Sequence, residues 1–600
     1  MTTEAHRRRG GGPVCAKGGF TSTAGFCCGH GEAWRMATPP RRCRWGLGVA
    51  LLVAALIAPQ GVAAPPATGS TWSETFIPTP DGQRLHVDVL RPAGAPATRR
   101  TPVILVVSPY LGMSSQTEAR GPSNRFHDFF EGARVFARGY SVVMVSLRGT
   151  GGSSGCLDIL GPGEQTDVVT AVRWAATQPW STGRVGMYGK SYDANTGMVG
   201  AALRPAGLAA VVAQQVVPDR YRGSYNDRVR FLQSIAYPAA TYGSSAEGGF
   251  SIQSEPEYIA NSVSRSADCQ ALLADHYRDD PSIKFWRDRD FVTKAKGSTV
   301  PVFMTTGYVD ANTNIGGGAV DYFAALRGPK RLWIGWWDHV RGNDLVGDEL
   351  AMGRAKFFDE VMRFYDEHLK GVRPARPDPV VVAQTSTGRW TAETAWPPPD
   401  VRVLTGALLA GTYNDDGRNH GSRDTAAGPG GAGPVGESSL VGAGAWTFSP
   451  PLRRTARLAG VPSAKVDVAT AVPGVNLVAN VYDVAPDGTA TMITRGAAFA
   501  QLGTWDVRLF PTDWTFAPGH RVGVLVSGAN SEAYVHAASR RSVTVRGGSV
   551  SLPWMSTTAR TPTQGTSNPR LEVFKEQAPF EVDAALIAER TDPRFPLPRR

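Results

Sequence analysis

Val185-Gly186-Met187-Tyr188-Gly189-Lys190-Ser191-Tyr192-Asp193 is the stretch whose reading decides the fold. Its apolar start, opening on β-branched Val185, reads as a buried strand, and Gly189 lets the backbone turn sharply. The alanine- and glycine-rich run at 194–203 reads as a helix packed closely on a sheet, stopped by Pro205. A serine on such a strand–turn–helix corner is held out of the turn near the helix's positive end, the setting for an acyl-transfer nucleophile. The usual elbow has glycine two residues after the serine, and here that residue is Asp193. A Gly-x-Ser turn can also be purely structural or bind an anion, so the string alone leaves those readings open. The spacing disfavours a phosphate loop: only Gly186 and Gly189 precede Lys190, without the Gly-x-x-x-x-Gly-Lys-Ser/Thr pattern.

Working outward, residues 71–90 alternate around Gly82 as an edge hairpin does. Apolar strands are predicted at 103–107, 140–147, 185–188, 209–217, 300–305 and 332–334, with helical patterns at 164–178 and 318–326 between them. Buried strands alternating with helices indicate an α/β fold with a mainly parallel sheet. The rhythm breaks at 219–296, which is too long for an ordinary crossover. Its helix-like stretches, such as 225–235 and 266–276, read as an inserted helical cap over the strand ends. Residues 352–369 form an amphipathic helix with Phe357, Phe358, Val361, Met362, Phe364 and Tyr365 on its apolar side. Three prolines within 371–379 then end the first domain. Strand-like segments at 477–484, 503–509, 521–527 and 541–545, with a glycine-rich loop at 413–442 and almost no helical periodicity, predict a β-sandwich. The expected division is a leader at 1–64, core at 70–218, cap at 219–296, more core at 297–372 and sandwich at 380–590.

Six hundred residues exceed one hydrophobic core. The net charge of +11 is concentrated at the start, where residues 1–64 hold eight basic and two acidic side chains. No concentrated basic stripe remains for nucleic acid. Arg41, Arg42 and Arg44, an apolar run at 47–58 and the small residues Val62-Ala63-Ala64 follow the order of an export signal. Met36 begins a signal of ordinary length, which makes 1–35 an extension without a structural role. The expectation is a secreted protein with no stable membrane association after cleavage; an uncleaved anchor is the alternative. Removing the leader leaves Cys156 and Cys269. Export permits a bridge between them, and the sequence leaves paired and free thiols equally open.

A serine needs a base, and the base works best when a carboxylate fixes its tautomer. His339 follows a late strand in Trp333-Ile334-Gly335-Trp336-Trp337-Asp338-His339, and Asp310 lies just past the strand near 300–305. The order Ser191, Asp310, His339 is the one an α/β-hydrolase imposes by its threading. Asp338 competes as the acid, but it adjoins the histidine it would have to reach and is read as shaping the loop. Trp336, Trp337 and Tyr308 are candidate walls of an acyl pocket. Asp219, Asp227 and Glu257 are candidates to meet a substrate ammonium, against a default reading as solvated charges. No compact His/Glu/Asp cluster calls for a metal, and the chemistry needs no organic cofactor.

These segments together resemble the serine hydrolase family of Xaa-Pro dipeptidyl-peptidases and cocaine-esterase-like acyl hydrolases. The resemblance rests on Ser108-Pro109-Tyr110, Arg148-Gly149-Thr150-Gly151-Gly152-Ser153-Ser154-Gly155, the Gly189-Lys190-Ser191-Tyr192-Asp193 elbow and the Asp310 and His339 segments. Leu477-Val478-Ala479-Asn480-Val481-Tyr482-Asp483-Val484, with Pro486-Asp487-Gly488, matches the family's C-terminal domain. The resemblance implies an α/β-hydrolase core, a helical cap and a C-terminal jelly-roll β-sandwich. It carries nucleophile, acid and base onto Ser191, Asp310 and His339, and oxyanion donors onto the Tyr110 hydroxyl and the Tyr192 backbone N–H. Members often have glycine where this chain has Ala194. The implied activity is release of Xaa-Pro dipeptides from a free N-terminus through an acyl-enzyme. The alternatives are a carboxylic-ester hydrolase of the cocaine-esterase type and, outside catalysis, a secreted binding protein on a decayed hydrolase core. The expected partner is a small peptide or ester substrate.

Overall fold

A hairpin opens the fold: β1 (Ser70–Pro78) pairs antiparallel with β2 (Arg84–Pro92) around Gly82, whose φ of +85° suits glycine. The computed structural model describes residues 67–111, 125–235, 269, 271–415, 443–469, 474–530, 533–536, 538–556, 559–577 and 579–598. The leader, its signal and Glu257 lie outside the described residues, as does most of the expected 413–442 loop.

β3 (Thr101–Ser108) and β4 (Ser141–Ser146) are buried at every position. Alternate side chains serve opposite faces, with Val103, Leu105 and Val107 in one apolar cluster and Ile104 and Val106 in another. A strand covered on both sides must be apolar throughout, which is why these runs do not alternate. With β5 (Ser181–Lys190) and β6 (Leu208–Gln214) they form the middle of an eleven-stranded sheet, ordered β1-β2-β4-β3-β5-β6. Strands Val302–Gly307, Lys330–Gly335, Val381–Gln384, Trp390–Glu393 and Thr561–Pro562 complete it. Neighbours are parallel from β4 through Val381–Gln384. Helices Pro162–Thr177, Tyr192–Leu203, Ala319–Ala325 and Phe357–Lys370 connect successive strands. This is the α/β-hydrolase arrangement expected.

The sheet continues past residue 372, where the sequence places the end of the core. The Phe357–Lys370 helix ends on Gly371, left-handed at φ +75°, with Pro374 just beyond, but Val381–Gln384 still adds in parallel to Lys330–Gly335. Trp390–Glu393 and Thr561–Pro562 then extend the edge antiparallel. Proline stops a helix; it does not stop the chain from rejoining a sheet a few residues later.

Seven- and five-stranded antiparallel sheets make the C-terminal sandwich. Leu458, Val466, Val545 and Leu552 from one face Leu477, Val481, Val524 and Val526 from the other in a shared core. Arg541–Met555 is the longest strand, pairing with four others. Two short helices, Pro569–Gln577 and Ala584–Glu589, accompany the sandwich's strands. Both are short and weakly patterned, so periodicity did not mark them.

The segment after β6 holds short helices at Arg220–Ser224, Lys284–Arg287 and Phe291–Lys294. Residues 225–235 are not the expected helix. Tyr225–Asn226 and Val229–Arg230 pair as a small hairpin, and Leu232–Ser234 is a 3-10 turn. Its partners are in the sandwich: Leu232 N donates to Ala533 O and Val535 N to Arg230 O, and Asn226 Oδ1 accepts from Ala497 N. Tertiary pairing overrides the helical pattern. Cys156 and Cys269 are disulfide-bonded, which joins this inserted segment to the loop after β4.

Candidate active site

β5 turns into the Tyr192–Leu203 helix at Ser191, whose φ of +67° and ψ of −123° lie outside the regions open to ordinary residues. Holding it there costs about 1–3 kcal/mol and needs a constrained surrounding. Ser191 N donates to Gln214 O at 2.9 Å and Ser191 O accepts from Asn195 N at 3.0 Å, while its side chain makes no cap bond to the helix. Gly189 is obligatory, since a Cβ there would lie 2.4 Å from the Asp193 backbone carbon. Gly197 and Gly200 let the helix lie against Val211 and Met187, where added Cβ atoms would come within 2.9 and 2.7 Å.

The run after the serine departs from the usual glycine-rich elbow, and its polar members are all used. Asp193 pairs with Arg125 at 2.8 Å. Asn195 Oδ1 accepts from Val217 N at 2.7 Å, and the Thr196 hydroxyl donates to Val107 O at 2.7 Å. Ala194 is fully buried in the core cluster. Asp193 sits in the first helical turn, where negative charge is favourable.

Arg125 also lies 4.3 Å over the Tyr110 ring, and Tyr110 meets Tyr192 edge-on at 6.3 Å between centroids. Tyr110 therefore stands beside the elbow, in the loop leaving β3. The Tyr192 hydroxyl donates to Glu164 Oε2 at 2.7 Å, and Glu164 also accepts from the N–H groups of Asp158 and Leu160. Burial, with the charge of Asp158, pushes the Glu164 pKa up to about 8. Burial, then the charges of Arg125 and Arg341, bring Lys190 down to about 8.

Asp310 and His339 come from the ends of neighbouring parallel strands, Val302–Gly307 and Lys330–Gly335. His339 Nδ1 lies 2.8 Å from Asp310 Oδ2. Asp310 is buried and accepts further bonds from Asn312 N, Thr313 N and the Thr313 hydroxyl. Burial alone would raise its pKa, but His339 and the Thr313 bonds hold it below the usual carboxylate value. Asp338 is not the partner of His339; its carbonyl accepts from Val340 N within the loop and from Gln215 Nε2 at the end of β6. The two strand ends approach so closely that a Cβ on Gly307 would sit 2.0 Å from Trp337 O.

Trp336 and Trp337 are buried and do not wall an open pocket, while Tyr308 is half-buried. Trp336 is 2% exposed and packs on Trp514 and Phe574 of the sandwich, with its Nε1 donating to Asp513 O. Trp337 stacks on Trp390 in the interior, and Tyr308 packs against Trp336. Trp336 and Tyr308 lie at the seam between core and sandwich while Trp337 fills the core itself, uses of bulky rings that sequence cannot separate from a pocket lining. Asp219 caps the Arg220–Ser224 helix by accepting from Arg222 N, and burial raises its pKa to about 6. Asp227 sits at the turn of the small hairpin. Sequence reasoning missed Arg125, Glu164 and the glutamine pair Gln214-Gln215; only the glutamines carried a signal, two amides ending an apolar strand.

The family model for X-Pro dipeptidyl-peptidase (S15 family) matches residues 81–341, and that for the X-Pro dipeptidyl-peptidase C-terminal non-catalytic domain matches 373–572. A putative Xaa-Pro dipeptidyl-peptidase of Streptomyces avermitilis is 26% identical over 58% of this chain; the match spans only 52% of that protein. The cocaine esterase of a Rhodococcus species is 24% identical over 78% of this chain and 92% of its own length. The crystal structure of an aminopeptidase from a marine sediment Thaumarchaeota archaeon superposes with a TM-score of 0.62 at 19% identity, covering 84% of this chain and all of that one. Sheet order, elbow and sandwich define a serine hydrolase of the α/β type. The chain belongs to the X-Pro dipeptidyl-peptidase and CocE/NonD-like family, and is an enzyme of peptidase or esterase type.

Proposed function

We propose that Ser191 is the nucleophile of an acyl-enzyme mechanism, with His339 as general base and Asp310 as the carboxylate that orients it. His339 takes the serine proton as Ser191 attacks the carbonyl, then returns it to the leaving group; water repeats the sequence on the acyl-enzyme. The Tyr110 hydroxyl and Tyr192 N–H stabilise the oxyanion, each donor being worth about 3 kcal/mol. The observation that carries this reading is the strained corner at Ser191 beside strands whose ends supply a bonded Asp310–His339 pair.

The substrate we propose is a peptide with a free N-terminus and proline second, cleaved after Xaa-Pro. The catalytic-domain family model supports this reading. Carboxylic esters are the second reading, favoured by one observation: Asp219, a candidate to meet a substrate ammonium, is already engaged as a helix cap. Side-by-side kcat/KM on an alanyl-prolyl amide, its N-blocked form and a short acyl ester decides between them. Strong loss on blocking fits the peptidase, because a buried counter-charge is then left unpaired. Equal rates on free and blocked amides exclude it.

We also propose export, with a mature N-terminus near 64–68. The Cys156–Cys269 disulfide supports an oxidising compartment. N-terminal sequencing of secreted protein tests this; a retained 36–58 segment points to an anchor.

A further inference from the structure

Two glutamines at the end of β6 connect the three segments that carry Ser191, Asp310 and His339. Gln214 and Gln215 are both fully buried, at the end of an otherwise apolar strand. The Gln214 carbonyl accepts the Ser191 N–H at 2.9 Å. Its side-chain Oε1 accepts the Gly342 N–H at 2.9 Å, three residues beyond His339.

Gln215 grips the loop more directly. Its Nε2 donates to the carbonyls of Asp338 and Val340, each at 3.1 Å, so the amide holds the backbone on both sides of His339. Its Oε1 accepts the N–H of Gly307 at 3.2 Å, the last residue of the strand that leads to Asp310. Both amide hydrogens and the oxygen are thus used, as burial of a primary amide requires. The residue has φ +56°, a left-handed conformation that a glutamine holds only under constraint.

Among the described residues, the side chain that anchors the imidazole is Asp310, on its Nδ1 edge. That bond fixes the ring's tautomer and one edge; it leaves the loop free to shift relative to the serine elbow. We infer that Gln215 is a positioning residue, holding the His339 loop to the end of β6 and, through Gln214, to the Ser191 elbow. The inference rests on the assignment of Ser191 and His339 above. Misplacement of a reacting group by about 1 Å costs on the order of 100-fold in rate.

The test uses Gln215→Met, which keeps length and loses all three bonds, and Gln215→Glu, which keeps the acceptor and loses both donors. Each is compared with wild type and with Ser191→Ala for kcat, KM, the rate of fluorophosphonate labelling at Ser191 and the melting curve. The low-field proton resonance of the His339–Asp310 hydrogen bond is recorded on the same samples. The expected result is kcat and labelling rate down by about 10- to 100-fold, KM within about twofold, a cooperative melt, and a shifted or broadened resonance. Wild-type labelling and kcat in a folded variant overturn the inference while a dead Ser191→Ala leaves the mechanism standing. Failure of both Gln215 variants to fold also overturns it, since the side chain is then an element of stability. Full activity in Ser191→Ala removes the mechanism itself and the inference with it.

Discussion

His339 Nδ1 lies 2.8 Å from Asp310 Oδ2 in the core, and His520 Nδ1 lies 2.8 Å from Asp483 Oδ1 in the sandwich. The contact is the same and the surroundings differ. Asp310 is wrapped by two backbone N–H groups and the Thr313 hydroxyl, and His339 rides on a loop tied to the strand that receives Ser191 N–H. Asp483 instead takes the Trp514 indole N–H on its other oxygen, at the point where the turn before Arg521–Ser527 meets the sheet. A histidine–carboxylate pair is thus a common way to fasten a loop. It can become a catalytic device only where a third group stands at the same edge of the sheet, the role proposed here for the strained Ser191.

The largest contrast is between the serine and the sandwich pair. Ser191→Ala is expected to lower kcat by about 10⁶-fold, the scale seen when a triad nucleophile is lost, with little change in melting temperature. His520→Gln should leave kcat unchanged. Turnover retained in Ser191→Ala, with hydrolysis traced to the protein itself, breaks the comparison outright.

Next come the two acids. Asp310→Asn keeps the shape but lets the imidazole adopt the wrong tautomer, and kcat should fall by about 10⁴-fold. Asp483→Asn should leave kcat as it was. Similar activity losses from both would mean that the sandwich pair reaches the active site. The oxyanion donor is smaller in effect: Tyr110→Phe should cost about 3 kcal/mol of transition-state stabilisation, read as a drop in kcat/KM with the protein still labelled at Ser191.

How far the sequence could take this comparison depends on what is local. The elbow was legible because a strand, a glycine, a serine and a small-residue helix are adjacent, and each has its own steric reason. Asp310 and His339 were legible because parallel strands deliver their C-terminal ends to one edge in a fixed order. Arg125 and Glu164 were not: their roles depend on loops returning to the elbow from 60 and 20-odd residues away, and nothing in their neighbourhoods distinguishes them from solvated charges. Trp336 was misread for the mirror-image reason. A large aromatic near the proposed catalytic histidine fits a pocket and a domain seam equally well until the sandwich's Trp514 and Phe574 are placed against it. The hairpin at 225–230 fails by the same logic, since its partners lie some 270–300 residues onward in the chain.

The smallest expected effect separates the two pairs by the sign of their pH dependence. The Asp483 hydrogen bond raises the His520 pKa against an opposing burial cost. Stability from that pair is therefore fully present below the unfolded histidine's pKa, about 6.5, and is lost as pH rises through the folded value. Asp310 behaves oppositely. Its lowered pKa means that its contribution is present above the unfolded aspartate's value, about 3.9, and is lost as pH falls through the folded one. Because the His520 side chain is 26% exposed, screening limits its pair to about 0.5–1 kcal/mol. Urea unfolding of wild type and His520→Gln should show that gap at pH 5.5 and its disappearance by about pH 9, with kcat equal throughout. A gap that widened toward high pH would reverse the assigned sign and leave His520 held as a neutral donor, not as a cation against Asp483.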